Sequence, residues 1–252
     1  MNMRTLLIAA LAVPSIAVAA PSTPGAVARA VADPSRPAED VARDANRRPA
    51  ETLAFMGARP GMKVADYIAN SGYFTRLLSD VAGPRGHVYA VELNEIVKFA
   101  NVAKGYAGLK DWAAGRANVT VSTVPVCDSL GFPEKLDLFW IAQNYHDLHD
   151  KFLGPTDVGQ FNRRVFEALK PGGLYVVLDH SALADAPDDV TETLHRIRRD
   201  RVVKEVEAAG FELVGSSDLL ANPDDPRTKE VFDDTIRGRT DQFLLKFRKP
   251  RR

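Results

Sequence analysis

The sequence predicts an α/β protein: a doubly wound, seven-stranded and mostly parallel sheet, with helices on both faces and an antiparallel last strand. Three observations carry that expectation. Short β-type runs alternate with helical patterns along the chain, which calls for a parallel sheet covered on both sides. Residues 174–178 are continuously apolar, as a strand buried on both faces is. No helical pattern separates the last two strands, so the final one is expected to insert antiparallel, because parallel neighbours need a crossover.

The elements follow in order. Residues 40–56 read as one or two short helices broken at Pro49, with Arg43, Asp44, Arg47 and Arg48 on polar faces. The turn Arg59-Pro60-Gly61 leads into a first strand over 62–67, and a polar loop of small residues follows. Phe74, Leu77, Leu78 and Val81 are spaced as one face of a helix. The turn Gly83-Pro84-Arg85-Gly86 ends that helix, and 87–92 is a strand closing on a carboxylate. A helix is expected over 95–107, and strands over 119–124 and 136–141. Val158, Phe161, Val165 and Leu169 mark another helix, stopped by Lys170-Pro171-Gly172-Gly173. The fifth strand ends on Asp179-His180, and residues 190–209 read as a long helix, in one or two pieces, closed by Gly210. Strands over 211–214 and 243–247 flank a polar connection that is either a lid or a hairpin link.

Composition sets the limits. A chain of 252 residues fits one large domain with a real core. With 26% charged and 45% hydrophobic residues and a formal net charge of zero, no basic field points to nucleic acid. At the N-terminus, Arg4 precedes a stretch over 6–18 that is apolar apart from Pro14 and Ser15, and Ala17-Val18-Ala19 supplies a small-x-small cleavage signature. Residues 1–19 therefore read as a secretory signal peptide, too short and weakly flanked for a stable membrane anchor. The expected address is the periplasm or the extracellular space. Cys127 is the only cysteine, so there is no lipid-attachment cysteine near the cleavage site and no intramolecular disulfide. Residues 20–37, rich in Ala, Pro and Ser, are expected to form a flexible lead-in to a domain over 38–252.

Ligands of open α/β sheets bind beyond the carboxyl ends of the strands. At those ends the sequence places Asp66, Glu92, Asp128, the segment Asn144-Tyr145-His146-Asp147-Leu148-His149-Asp150, and Asp179-His180. This element order, the acid after the second strand, and the Lys170-Pro171-Gly172-Gly173 turn before the fifth resemble a class I S-adenosylmethionine-dependent methyltransferase, over roughly residues 53–247. The exported predicted methyltransferases of bacteria are a subclass it looks like. The resemblance implies S-adenosylmethionine as cofactor and a small-molecule acceptor. Asp66, Ala69, Asn70 and Gly72 would belong to the loop that holds the methionine part, Glu92 would accept the ribose hydroxyls, and Asp128 or its neighbour Cys127 would lie beside the adenine.

The loop departs from the family pattern. A full G-x-G-x-G needs glycine at Ile68 and Asn70, and only Gly72 is present. Asn tolerates a left-handed backbone, whereas a β-branched residue there is an outlier, so a different loop path or an altered pocket is expected at Ile68. The segment from Asn144 is also similar to the His-Asp-Trp-x-Asp stretch of small-molecule O-methyltransferases, with Leu148 in place of the Trp. That likeness makes His146 the general base and Asp147 the carboxylate orienting it. A divalent metal is the lesser possibility: His146, His149, His180 and His195 lie near Asp147, Asp150 and Asp179, but no His-Glu-x-x-His motif occurs, and no ligand set is assigned. The alternative to an enzyme is an exported, non-catalytic ligand- or metal-binding protein on a degenerate methyltransferase fold.

Overall fold

The structure, a computed structural model, describes residues 24–126 and 130–251. The expected signal segment 1–19, and Cys127 and Asp128, lie outside the described residues.

Among the described residues, four short helices precede the sheet: α1 (Pro24–Val31), α2 (Ala38–Val41), α3 (Asp44–Arg47) and α4 (Pro49–Met56). α4 starts with Pro49 at a first-turn position and ends at Gly57, whose φ of 74° closes it in the left-handed conformation. α1 corrects the expectation of a flexible lead-in. Its Ala26, Val27 and Ala30 are buried, and the helix packs on the first sheet-covering helix. Composition alone reads Ala and Pro as linker, but Ala is the best helix former, and small residues on one face let a helix sit close to a neighbour.

The strands are β1 (Lys63–Tyr67), β2 (His87–Leu93), β3 (Val119–Val124), β4 (Leu136–Ala142), β5 (Leu169–His180), β6 (Glu212–Ser217) and β7 (Gln242–Arg248). They form one sheet in the order β3-β2-β1-β4-β5-β7-β6. β1 to β5 are parallel, and β7 runs antiparallel to both neighbours, as the missing crossover requires. The order reverses between β1 and β4, which opens a crevice at their carboxyl ends.

The remaining helices are α5 (Tyr73–Ala82), α6 (Ala100–Ala113), α7 (Val158–Ala168), α8 (Val190–Leu194) and α9 (Arg199–Ala208). β4 shows why both faces need covering. Leu138 and Trp140 enter the core layer under α4 and α5, while Phe139 and Ile141 enter the opposite layer with Phe161, Tyr175 and Val206. The predicted stripe of α5 is buried as expected, and Phe74 meets Trp140 edge-on at 4.9 Å.

Two helix boundaries differ from the periodicity. α6 begins at Ala100, because residues 94–99 turn over the end of β2. The long helix of 190–209 breaks at His195, whose φ is 52°. Tertiary pairing causes the break: the Ile197 N–H donates to the His180 carbonyl at 2.9 Å, and Ala182 N–H donates to the Ile197 carbonyl at 3.0 Å. Among the described residues no helix is long and apolar enough to cross a membrane.

Candidate active site

β1 delivers the chain into the loop Ile68–Gly72 at the crevice. Ile68, Asn70 and Gly72 have φ values of 59°, 52° and 81°, so the three alternate positions where glycine would be at home are all left-handed. Ile68 itself takes the left-handed strain. A non-glycine residue held there costs on the order of 1–3 kcal/mol. Burial offsets it, because the Ile68 side chain is 3% exposed within the core layer of Phe139 and Tyr145. Hydrogen bonds fix the rest: Ala69 N–H to the Val91 carbonyl at 3.0 Å, and Gly72 N–H to the Ala69 carbonyl at 2.8 Å. Gly72 has a second reason to be glycine, since a Cβ would overlap Leu109 Cδ1 of α6.

Glu92, the acid at the end of β2, sits beneath the loop. It is fully buried, with one oxygen accepting the Asn70 N–H and the other its neighbour Leu93 N–H, both at 2.9 Å. Burial, with Asp66 and Asp147 nearby, pushes its pKa up to about 7. Glu92 is the brace of the loop and does not line the cavity beside it. Asp66, at the end of β1, does line it; burial pushes its pKa up to about 6, against a hydrogen bond from the Thr75 hydroxyl at 2.6 Å and the field of Arg47.

The cavity holds about 800 Å³ and runs from the loop and the start of α6 to the 143–152 segment. Arg47 of α3 forms part of its wall. Its guanidinium lies 4.8 Å from the Tyr73 ring centroid and donates to Gln143 Oε1 at 2.9 Å. Burial lowers its pKa to about 10, so it stays charged at neutral pH. The sequence placed Arg47 on a polar face of a short helix; only folding brings α3 over the loop.

Across the cavity, β4 is followed by Gln143 at φ 60° and a 3-10 turn over His146–His149. The His146 backbone N–H donates to Asp179 Oδ2 and its Nδ1 pairs with Asp179 Oδ1, each at 2.8 Å. Its Nε2 lies 3.2 Å from Asp147 Oδ1. Burial by itself would lower the pKa of this ring, but the carboxylates of Asp179 and Asp147 raise it well above the usual histidine range. The ring is thus held between two carboxylates at the cavity wall. Asp147 in turn accepts from Asn144 at 2.7 Å, and Asn144 accepts from Asn70 at 3.3 Å, which links the two sides of the crevice. His149 points elsewhere, to Glu205 at 3.1 Å and Arg201 at 2.8 Å. His180 also lines the cavity; its Nδ1 meets the Thr240 hydroxyl at 2.6 Å, and burial among cations drives its pKa well down. His195, at the break between α8 and α9, completes this wall, a position the helical pattern hid.

Solved structures with this architecture are consistent in kind. An S-adenosylmethionine-dependent methyltransferase from Aquifex aeolicus superposes with a TM-score of 0.56 at 17% identity, over 90% of this chain and 98% of its own. The fold is that of the class I S-adenosylmethionine-dependent methyltransferases. A possible exported protein from Bordetella parapertussis shares this methyltransferase fold, with a TM-score of 0.50 at 18% identity over 92% of this chain and 81% of its own. In sequence, the chain is 26% identical over 197 residues to the ubiquinone/menaquinone biosynthesis C-methyltransferase UbiE of Shewanella woodyi, covering 77% of this chain and 67% of that protein. It spans about half the length of other UbiE relatives, as with the 47% covered at 30% identity in Shewanella sp. strain W3-18-1. No protein-family model matches the chain.

Proposed function

We propose that this protein is an S-adenosylmethionine-dependent methyltransferase acting on a small-molecule acceptor. The observation that carries the reading is the loop, which keeps three left-handed positions beside a cavity of about 800 Å³ although two of them are not glycine. That volume lies in the range of small-molecule sites. S-adenosylmethionine supplies an electrophilic methyl group on a sulfonium. The backbone of Ala69 and Asn70, braced from below by Glu92, holds the cofactor, with Asp66 and Gly72 setting the ends of the loop. Arg47 pairs with its carboxylate. The acceptor lies against His146, Asp147 and His195, with Phe152 and Phe232 at the mouth. Methyl transfer is an in-line displacement, so these residues act chiefly by orienting the acceptor. Export is part of the proposal, supported by Arg4, the apolar stretch over 6–18 and Ala17-Val18-Ala19. N-terminal sequencing of protein from the periplasmic fraction tests it, with a new terminus at Ala20 expected.

Calorimetry with S-adenosylmethionine and S-adenosylhomocysteine tests the main reading. Both are expected to bind, and Arg47→Ala to weaken binding roughly 10- to 150-fold, as for loss of a charge-assisted hydrogen bond of roughly 1.5–3 kcal/mol. No heat at millimolar ligand would overturn it. Binding without turnover over a broad acceptor panel would favour the non-catalytic alternative.

A further inference from the structure

His146, Asp147, Asp150 and His195 each offer one nitrogen or oxygen to a common space, and those four atoms lie within 4.8 Å of one another. His146 Nε2 is 3.2 Å from Asp147 Oδ1, and His195 Nδ1 is 4.0 Å from the same oxygen and 3.6 Å from Asp150 Oδ2. Clusters of this kind often do no more than pair internally. Two features set this one apart.

The first is Asp150. Its side chain is 1% exposed, and among the described residues neither carboxylate oxygen has a donor at full hydrogen-bonding geometry, the Thr191 hydroxyl and His195 Nδ1, the latter at 3.6 Å, being the nearest candidates. His146, Asp147, Thr191 and His195 surround it. A buried carboxylate is costly unless a donor or cation compensates it. The second is the ring of His146. Asp179 takes its Nδ1, and the other Asp179 oxygen takes its backbone N–H, so the imidazole is fixed in orientation. Its Nε2 faces the common space, 3.2 Å from Asp147 Oδ1. A carboxylate holding the far nitrogen of a histidine is also the arrangement that orients metal-binding imidazoles.

We propose that His146, Asp147, Asp150 and His195 bind one divalent first-row transition-metal ion, with Asp179 as the outer carboxylate that holds His146. Two imidazoles and two carboxylates suit Zn²⁺ or Mn²⁺ better than Ca²⁺ or Mg²⁺, which prefer oxygen ligands throughout. Ligand distances of about 2.0–2.2 Å place neighbouring donors roughly 3–4 Å apart, so small side-chain rotations close the site. The ion joins the turn after β4 to the junction of α8 and α9. His146, Asp147 and His195 also line the large cavity, so one side of the ion faces it and is open to an oxygen donor of a bound molecule. The sequence assigned no metal ligands, because Asp150 and His195 meet only through the break at His195.

Metal binding does not depend on the methyl-transfer reading, and the test keeps the two apart. Full-length mature protein made without a histidine tag, stripped with chelator, is titrated with Zn²⁺ and with Mn²⁺ by calorimetry, and the melting temperature is followed with and without each ion. One ion per chain and a metal-dependent rise in melting temperature are expected. Asp150→Asn and His195→Ala should each weaken binding at least 10-fold and abolish that rise, while His149→Ala, which faces Glu205 and Arg201, keeps both. If Asp150→Asn does not fold, His195→Ala decides, since its side chain is 24% exposed and tolerates truncation. No binding of either ion at millimolar concentration, or affinity unchanged in the foldable variants, overturns the proposal. S-adenosylhomocysteine binding to the stripped protein is measured in parallel and reports on the other reading alone.

Discussion

At the residue scale, the site is built from groups held in unfavourable states by their surroundings. Gly72 has a φ of 81° and Leu109 against its Cα, so Gly72→Ala should lose about 2–4 kcal/mol of stability, the left-handed penalty and the overlap adding. Urea denaturation measures it. Ile68→Gly should also destabilise, by about 1–3 kcal/mol, because the lost burial of roughly 2–5 kcal/mol exceeds the relieved strain. A stabilised Ile68→Gly would show that strain at this position outweighs packing. Burial raises the pKa values of Asp66 and Glu92 to about 6 and about 7 in the folded state, above the ordinary carboxylate values of 3.8 and 4.5. The folded protein then binds more protons than the unfolded chain between about pH 4 and pH 7, so stability falls as pH rises through that window. Glu92→Gln should flatten this slope; a pH series of melting curves on chelator-treated protein reads the difference.

At the element scale, the N-terminal helices support the site. Arg36 forms a two-armed pair with Asp44, whose carboxylate also accepts from the Tyr73 hydroxyl at 2.6 Å. Tyr73 opens α5 and carries the guanidinium of Arg47 on its ring. Removing residues 24–37 therefore strips the buried face of α1 and takes the Arg36 guanidinium from Asp44, leaving it the Tyr73 hydroxyl. We expect a loss of about 2–4 kcal/mol from apolar burial, a melting temperature lower by several degrees, and weaker S-adenosylhomocysteine binding through the loosened Arg47. A truncated protein that melts and binds as the full chain does would show that α1 is an accessory layer only.

At the scale of the whole molecule, the connection between β6 and β7 is part of the cavity wall. Arg196, fully buried, donates to the Lys229 carbonyl and pairs with Asp225 at 2.9 Å, and Asp225 also accepts from the Arg227 and Asp241 backbone. This pins the segment that carries Val231, Phe232, Arg237 and Gly238 to the cavity. Asp225→Ala should cost about 3–5 kcal/mol, because it leaves a buried guanidinium without its counter-charge. Chemical denaturation checks it; a loss below 1 kcal/mol would mean that water replaces the carboxylate.

What the sequence determined by itself was whatever repeats with a local period or sits next to a strand end. Alternating apolar runs defined the strands, the spacing of Phe74, Leu77, Leu78 and Val81 defined α5, and the missing crossover defined the antiparallel β7. The strand-end residues Asp66, His146 and Asp147 all reach the cavity for the same reason, since the carboxyl ends of a parallel sheet converge. Only the tertiary structure decided the rest. Ile68 is left-handed because core burial compensates it, which no local preference contains. Glu92 turns inward to brace Asn70, Arg47 arrives from a helix whose position depends on Asp44 and Tyr73, and His195 meets Asp150 because an inter-strand bridge breaks a helix. Each of these is a contact between residues distant along the chain, whose energy exists only once the sheet has brought them together.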